Sequence, residues 1–360
     1  MKNGNERVNY LRTRIEKISN IRETSKIFDE AGEIIRSGGL VAFPTETVYG
    51  LGANGLDAEA CANIYAAKGR PSDNPLILHV ADRVMIDRAA VVTEMAERVL
   101  AAFAPGPVTV ILPKKEIVPL RVTGGLSTVA VRMPDNDVAR ALIRAADVPI
   151  AAPSANASGR PSPTTAAAVL ADMDGKIPLI LDGGPCRFGV ESTIVDCTGE
   201  RAAILRPGAV TREMLAEVLG ELAPPPVWDE KEAPRAPGMK YTHYAPLAPL
   251  TLIDAHKEKM GEAFRAAVRE ATAEGKRPGV IVSRETAERL ENLMPPEHIA
   301  VFGGAGDLSA MAANLYEALR SFDDKAANVL FAETVEEAGL GVAVMNRLKK
   351  AAGGRIRFYN

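Results

Sequence analysis

The spacing of hydrophobic positions predicts a chain in which helices and strands alternate. Apolar residues recur at helical spacing in several segments, and the short continuous apolar runs between them are typical of buried strands. The predicted helices of the first half cover 26–37, 82–103, 137–146 and 165–171. The predicted strands cover 40–43, 76–80, 108–112, 127–134, 149–152, 178–181, 190–196 and 203–205. Because several of these strands are joined by short turns, we expect an α/β domain with a mixed, twisted sheet.

The pattern changes after about residue 216. The segment up to residue 245 is proline-rich, charged and aperiodic, as in a stiff, extended linker. Beyond it, strands and helices alternate regularly, which indicates a smaller, open, Rossmann-like α/β sheet. These later strands cover 250–254, 280–283, 300–303 and 329–333, and the helices include 308–320 and 341–350. The expected organisation is a polar lead-in over 1–22, an α/β domain over 23–215, a linker over 216–245 and a C-terminal α/β domain over 246–360.

Composition narrows the class of protein. Hydrophobic residues make up 47% of the chain and charged residues 25%, as in ordinary soluble globular proteins. The formal net charge of -3 shows no excess of positive charge, so we expect neither stable nucleic-acid binding nor binding to an anionic membrane. Three cysteines without metal-type spacing indicate a reducing compartment. Since no signal peptide or long apolar run is present, we expect a cytoplasmic protein without a membrane segment.

The most informative stretch runs from 43 to 80. Lys68 and Arg70 lie at a predicted helix end, just before a proline-containing loop. A mobile ammonium and a planar guanidinium together suit a polyanion, although the same cations also complement a helix C-terminus. Residues 50–55, GLGANG, match the dinucleotide pattern G-x-G-x-x-G. We favour tight turns and close backbone approach here, because the match follows a Pro-Thr turn and lacks the acidic partner of a ribose.

The loops at the predicted strand ends collect cations, hydroxyls and amides with few carboxylates. Such a set suits an anionic ligand, and several cations suit a triphosphate. The sequence contains no recognisable Walker A motif, Ser-His-Asp pattern or cluster of metal-ligating residues. Taken singly, each residue also has a structural explanation: Ser154 and Asn156 as turn formers, His79 as a core histidine, Arg132 as half of an internal ion pair.

The motifs FPTETVYGLG, KGRPSDNPL, STVAVRMP, APSANASG, ESTIVD and LRPGAV occur in this order. Together they resemble the YrdC-like domain of the threonylcarbamoyl-AMP synthase family, whose K-x-R and S-x-N pairs match Lys68/Arg70 and Ser154/Asn156. The segments PGMKYTHYAP and GLGVAVMNRLKKAA resemble the long, two-domain form of that family. The resemblance covers all but the first twenty or so residues and implies a YrdC-like twisted mixed sheet with helices, plus the Rossmann-like C-terminal domain.

The family joins L-threonine, bicarbonate and ATP into L-threonylcarbamoyladenylate and releases pyrophosphate. The resemblance implies the same activity here, with Mg²⁺ accompanying ATP and with the product passed to a tRNA threonylcarbamoyl-transferase complex. It implies catalytic roles for Lys68 and Arg70. The ATP-binding residues that it implies are Lys68, Arg70, Asn74, Thr128, Ser154, Asn156, Ser162, Arg206 and Tyr241. The implied threonine-binding residues are Thr45, Thr47, His79, Arg132, Ala152 and Ser192, and no metal-ligating residue is implied.

Three other functions fit parts of the sequence. Double-stranded-RNA binding is linked to YrdC-like folds, but the net charge argues against it. A regulatory protein that binds nucleotide without turnover is an alternative that product formation would exclude. A carbamoyltransferase of hydrogenase maturation is excluded, because those proteins carry cysteine-rich zinc modules. Ligand-like residues in the linker predict a lid over the site, and the C-terminal domain is expected to position that linker or to dock a partner.

Overall fold

The structure is a computed structural model that describes residues 12–225, 234–239, 243–324 and 326–359. The strands of its first sheet are β1 (Arg14–Lys17), β2 (Val41–Phe43), β3 (Gly50–Asn54), β4 (Ile77–His79), β5 (Val108–Pro113), β6 (Thr128–Arg132), β7 (Ile150–Ala152), β8 (Leu179–Asp182), β9 (Thr193–Asp196) and β10 (Ala203–Arg206). The accompanying helices are α1 (Ser25–Arg36), α2 (Ala58–Lys68), α3 (Arg83–Ala89), α4 (Glu94–Phe103), α5 (Leu120–Thr123), α6 (Asp137–Ala146), α7 (Ala166–Met173) and α8 (Arg212–Leu219).

The first sheet is mixed, as the short turns in the sequence predicted. Its strand order is β1-β8-β2-β3-β7-β4-β6-β5-β9-β10. Strands β4 and β6 are parallel neighbours, and β7 runs antiparallel to β4 on its other side. In this register His79 lies opposite Arg132 on one neighbour and Ile150 on the other. The sheet therefore places polar side chains from distant parts of the chain at the ends of adjacent strands.

The structure corrects the sequence prediction at two strands. Residues expected as a loose polar lead-in include β1, which pairs in parallel with β8 and forms the edge of the sheet. The glycine pattern at 50–55, expected as tight turns, is mostly strand β3, paired antiparallel with β2 and β7. Alternating small residues and leucine gave neither a helical nor a clear strand period, so β3 was missed.

Two element boundaries also differ from the prediction. The single helix expected over 82–103 is two helices, because Thr93 caps α4 through its hydroxyl after a break at Ala90. Helix α8 continues past the boundary expected at 215, to Leu219. The helix predicted over 137–146 agrees with α6 at both ends, where Asn136 provides the N-cap.

The second sheet is open and entirely parallel, in the order β13-β12-β14-β11-β15. Its strands are β11 (Leu250–Ala255), β12 (Pro278–Ser283), β13 (Ile299–Gly303), β14 (Val329–Glu333) and β15 (Ile356–Tyr359), the last of which the sequence did not predict. Its helices are α9 (Met260–Ala273), α10 (Arg284–Glu288), α11 (Leu308–Arg320) and α12 (Leu340–Ala351), with a 3-10 turn at Pro296–His298. Alternate strand residues enter two separate cores, one with α11 and α12 and the other with α9 and α10. The C-terminal domain is thus a Rossmann-like layer of sheet between helices, as expected.

The loops of the first domain pack directly against helices of the second domain. Val48 and Val190 of the first domain are buried in the core that contains α11 and α12. Gly189, with a φ of 69°, lies against α11 so closely that an added Cβ would be 2.4 Å from the Ala312 carbonyl oxygen. This contact requires glycine on both steric and conformational grounds. Among the described residues, no helix is long and apolar enough to cross a membrane.

The glycines of β3 allow the strand to pass close to its neighbours. A Cβ at Gly52 would lie 2.7 Å from Cγ2 of Ile150 and 2.9 Å from the Phe43 ring. Both neighbours are fully buried and have little room to move. We therefore predict that Gly52→Ala lowers the free energy of unfolding by about 1–3 kcal/mol, as measured by urea titration.

The matched control is Gly199→Ala in an exposed turn, where the nearest atom to an added Cβ is 3.7 Å away. This control should stay within about 0.5 kcal/mol of wild type. Equal unfolding free energies for both variants would contradict the close packing described for β3.

Candidate active site

A cavity opens where the ends of β4, β6 and β7 meet the loops before β3 and β9 and the described part of the linker. Cations, hydroxyls, amides and one carboxylate line it. The lining residues are Thr45, Val48, Gly50, Lys68, Arg70, Ile77, His79, Arg132, Ala152, Pro153, Ser154, Asn156, Ser158, Gly159, Arg160, Ser162, Glu191, Arg206, Pro237, Gly238, His243 and Tyr244. The balance of charge makes the cavity a receptor for anions.

Lys68 is the last residue of α2 and is buried. Asp57 caps the start of this helix through its side chain, and Gly69 ends it in the left-handed conformation. The Lys68 ammonium donates to the backbone carbonyls of Ser154 and Asn156. Burial, followed by the charge of Arg70, holds the pKa of Lys68 well below its usual range. A polyanion beside this amine would favour its charged form.

Arg70 follows directly in the loop after α2. Its Nη2 donates to the Pro75 carbonyl at 3.2 Å, whereas its buried Nε has no hydrogen-bond partner. Burial lowers the pKa of this guanidinium to about 10. A buried donor without a partner is unfavourable, so a ligand acceptor at this point would be stabilised.

Arg132 and His79 lie side by side at the ends of β6 and β4. Arg132 Nη2 is 2.9 Å from Glu46 Oε2 in a buried ion pair, and Arg132 Nε is without a hydrogen-bond partner. The His79 ring meets Phe43 edge-on and its Nδ1 lies 3.2 Å from the Ile77 carbonyl oxygen. Burial, then the charge of Arg132, lowers the pKa of His79 to about 3. His79 is therefore a neutral hydrogen-bonding group near physiological pH.

The loop after β7 contributes the serine and asparagine of the S-x-N pair. Ser154 Oγ donates to Asn156 Oδ1 at 2.5 Å, and Asn156 Nδ2 donates to the Ala157 and Arg160 carbonyls. These bonds order the loop, and two backbone carbonyls of the same loop accept hydrogen bonds from the Lys68 ammonium. The K-x-R and S-x-N pairs therefore form one connected unit.

Arg206, the last residue of β10, closes another side of the cavity. Its guanidinium donates to the Ser192 carbonyl at 3.0 and 3.1 Å, to Ser192 Oγ at 3.2 Å and to the Pro237 carbonyl at 3.5 Å. Burial lowers the pKa of Arg206. This side chain thus joins the sheet to the linker at the cavity wall.

Glu191 supplies the carboxylate of the cavity wall. Ser162 Oγ donates to its Oε1 at 2.6 Å, and Tyr316 donates to both carboxylate oxygens at 3.0 and 2.9 Å. Arg347 Nε donates to Glu191 Oε2 at 2.9 Å. Burial raises the pKa of Glu191, but Arg347 and then Arg206 outweigh it and lower the value to about 2. The group is therefore ionised, and its partners come from both domains.

The structure brings together most of the residues predicted for the site and leaves some outside the lining. Those on the cavity wall are Thr45, Lys68, Arg70, His79, Arg132, Ala152, Ser154, Asn156, Ser162 and Arg206. Thr47 lies behind Thr45, joined hydroxyl to hydroxyl at 2.9 Å, and Ser192 lies behind Arg206. Thr128 is at the opposite end of β6 from Arg132, and Asn74 is buried with an unpartnered Oδ1. Tyr241 lies outside the described residues.

Sequence analysis missed several contributors. Glu46, the partner of Arg132, sits between two of the predicted threonines, and Glu191 directly precedes Ser192. Both lie within recognised motifs, so their position next to predicted site residues could have identified them from the sequence. Tyr316 and Arg347 are far away in sequence. Arg347 lies within the recognised segment GLGVAVMNRLKKAA, but nothing local in the sequence links either residue to the cavity. Pro237, Gly238, His243 and Tyr244 from the described part of the linker also line the cavity.

The buried imidazole of His79 predicts a pH dependence of stability. Its pKa is lowered from 6.5 to about 3, so the unfolded chain binds more protons between these values. Stability should therefore fall as pH decreases from 6.5 towards 3, by at most about 1.4 kcal/mol per pH unit from this group. We predict that His79→Gln makes the decline shallower, as measured by denaturant titration across this range.

The exposed His256 provides the control. His256→Gln should keep the wild-type slope of stability against pH. Parallel curves for wild type and His79→Gln would contradict the assignment of a neutral, buried His79.

Two family models match consecutive parts of the chain. The profile described as "Telomere recombination" matches residues 33–208, and the one described as "Threonylcarbamoyl-AMP synthase, C-terminal domain" matches residues 210–353. The threonylcarbamoyl-AMP synthase of Bacillus subtilis (strain 168) is 46% identical over 330 residues, which cover 91% of this chain and 93% of that protein. The protein of the same name from Pyrococcus abyssi is 47% identical over 345 residues, which cover 94% and 98%.

A solved structure covers nearly the whole chain. The crystal structure of P. abyssi Sua5 complexed with L-threonine superposes with a TM-score of 0.90 at 44% identity, covering 97% of this chain and 100% of that chain. Both domains therefore have counterparts in the same relative. The family resemblance read from the motifs is confirmed: the chain belongs to the threonylcarbamoyl-AMP synthase family.

Proposed function

We propose that this protein makes L-threonylcarbamoyl-AMP and pyrophosphate from L-threonine, bicarbonate and ATP. The observation that carries the proposal is the cationic cavity, in which Lys68, Arg70, Arg132 and Arg206 face one space. All three substrates are anionic at one end or throughout, so their assembly in one site requires concentrated positive charge. The family relationship, including a relative described with L-threonine bound, supports the same assignment.

The reaction proceeds in two steps, carbamate formation and transfer of the adenylyl group. The threonine amine attacks the carbon of bicarbonate, which gives a carbamate and releases water. A carbamate oxygen then attacks the α-phosphorus of ATP, the bond to the bridging oxygen of pyrophosphate breaks, and threonylcarbamoyl-AMP forms. Both partners of the second step are negatively charged, so neutralising and aligning them is the main catalytic task.

At the nucleotide end, Lys68 and Arg70 would neutralise the phosphates and the charge that develops on the leaving pyrophosphate. The free Nε of Arg70 provides a donor that the protein itself does not use. Ser154, Asn156 and Arg206 would hold phosphate or ribose, and Ser162 would contact a donor group of the nucleotide. Asn74 and Thr128 would support these residues, and Tyr241 of the linker would be a further nucleotide contact.

At the threonine end, the fork of Arg132 suits the substrate carboxylate. Glu46 holds this guanidinium from behind, which fixes its direction. Neutral His79 and the hydroxyls of Thr45 and Thr47 would suit the threonine side chain, and Ala152 and Ser192 would contribute to the same pocket. Serine lacks only one methyl group, which is worth about 1–3 kcal/mol, so some use of serine is expected.

Magnesium would enter with ATP. Within the described residues, no group of three or more histidine, cysteine, aspartate or glutamate side chains could hold a metal ion. The carboxylate on the cavity wall, Glu191, is already engaged by Ser162, Tyr316 and Arg347. Mg²⁺ would therefore be held mainly by the ATP phosphates, and it would lower their negative charge.

The linker would act as a lid over this chemistry. Pro237 and Gly238 line the cavity, and Ala245 N donates to the Gly159 carbonyl beside it at 2.9 Å. Closure of this segment would shield a hydrolysis-prone product until it passes to a tRNA threonylcarbamoyl-transferase complex in the cytoplasm.

The first test is pyrophosphate release from Mg·ATP, with threonine and bicarbonate omitted in turn. We predict that release requires both, and that Lys68→Ala reduces it by about 10²–10³-fold because charge on the leaving group is no longer offset. The control is Lys115→Ala, which removes an exposed cation and should leave the rate unchanged.

Release without threonine or bicarbonate would contradict the synthase proposal. ATP binding without any turnover would favour the nucleotide-binding regulatory protein. Salt-dependent binding of double-stranded RNA without turnover would favour the RNA-binding function.

A further inference from the structure

The Glu191 carboxylate joins the cavity to the C-terminal domain. It is 5% exposed, and its three side-chain partners are Ser162 from the loop before α7, Tyr316 from α11 and Arg347 from α12. Arg347 itself is completely buried. This is therefore a charged group of the cavity wall that the second domain holds from behind.

The chemistry of these hydrogen bonds fixes the direction of each proton. An ionised carboxylate has only acceptors, so the hydroxyls of Ser162 and Tyr316 must both donate to Glu191. Ser162 has a single hydroxyl proton, which leaves only its lone pairs for a ligand. The ligand group that meets Ser162 must therefore be a donor, such as a ribose hydroxyl or the adenine amino group.

Arg347 connects more than one part of the wall. Besides the carboxylate, its Nη2 donates to the Glu191 carbonyl at 3.3 Å and its Nη1 to the Pro207 carbonyl at 2.5 Å. Pro207 directly follows Arg206, and Glu191 directly precedes Ser192, to which Arg206 donates. One guanidinium from α12 thus fixes both backbone segments that carry this end of the cavity.

Tyr316 connects the same carboxylate to the linker. Its ring packs against the ring of Tyr244 with centroids 5.3 Å apart. Tyr244 lines the cavity and has a φ of 67°, a left-handed conformation that is unfavourable outside glycine. The aromatic contact therefore helps to hold a strained linker residue at the cavity wall.

We propose that Tyr316 and Arg347 are positioning residues of the active site, which orient Ser162 through Glu191 so that it accepts a hydrogen bond from the nucleotide. This inference rests on the proposed function and adds a role for the C-terminal domain. The domain supplies no group that touches substrate in this scheme. It keeps an ionised acceptor in place, and that acceptor sets the polarity of the serine.

A different contact across the same interface serves as the comparison. Glu317 neighbours Tyr316 on α11 and accepts from Thr164 Oγ1 at 3.0 Å and Thr165 Oγ1 at 3.4 Å. Neither Glu317 nor these threonines line the cavity. A purely structural interface would make the contacts of Tyr316 and Glu317 equivalent for ligand binding.

The test is a double-mutant cycle on ATP binding. The variants are Tyr316→Phe, Ser162→Ala and their combination, with Mg·ATP affinity measured by calorimetry and KM by pyrophosphate release. Tyr316→Phe retains the aromatic contact with Tyr244 but removes the hydroxyl. It should weaken ATP binding on the order of tenfold, as expected when a hydrogen bond to a charged group is lost, and leave the KM for threonine unchanged. The double variant should bind no more weakly than Ser162→Ala.

Arg347→Lys and Glu317→Gln complete the design. Arg347→Lys keeps the charge but cannot bond the carboxylate and both carbonyls together, so it should also weaken ATP binding selectively. Glu317→Gln should bind ATP like wild type, and its combination with Ser162→Ala should match Ser162→Ala alone.

Additive effects of Tyr316→Phe and Ser162→Ala on ATP affinity would overturn the proposal, as would equal loss in Tyr316→Phe and Glu317→Gln. The calorimetric cycle needs no turnover. It therefore remains decisive if wild type binds ATP but releases no pyrophosphate, an outcome that would contradict the proposed synthase function alone.

Discussion

Burying several cations around one cavity is costly, because each guanidinium or ammonium loses its hydration. The structure offsets that cost with a different partner at each position. Lys68 uses backbone carbonyls, Arg132 uses the Glu46 carboxylate and Arg206 uses the Ser192 carbonyl. Some donors on Arg70 and Arg132 are still unused. An anionic ligand would pair with these unused donors. The buried cations therefore both require stabilising partners in the protein and favour a negatively charged ligand.

Much of the fold followed from the sequence because helical and strand periods were clear. The helix at 308–320 and the strand at 329–333 agree with α11 and β14 at both ends. Strand β3 was missed because glycines give no hydrophobic period, and its need for glycine is set by Phe43 and Ile150 from other strands. Strand β1 was missed because it is short, polar and stabilised by pairing with a distant partner.

The site residues that belong to short local motifs could be predicted from the sequence. The K-x-R and S-x-N pairs come together as expected, and the linker lies at the cavity. The contacts of Glu191 were not predictable, because its charged partner lies 156 positions away in sequence. Local patterns reveal which residue types gather in a loop, but the tertiary fold determines which buried charge is paired with which.

The burial of Val48 and Val190 in the core of the C-terminal domain has a consequence for folding cooperativity. Opening that domain exposes apolar side chains of the first domain, and it also leaves the Glu191 carboxylate without Arg347. Both losses fall on the loops that form the cavity. Local unfolding of either domain therefore exposes buried groups of the other. We expect the two domains to unfold as one cooperative unit, with hydrogen-exchange protection shared across the interface.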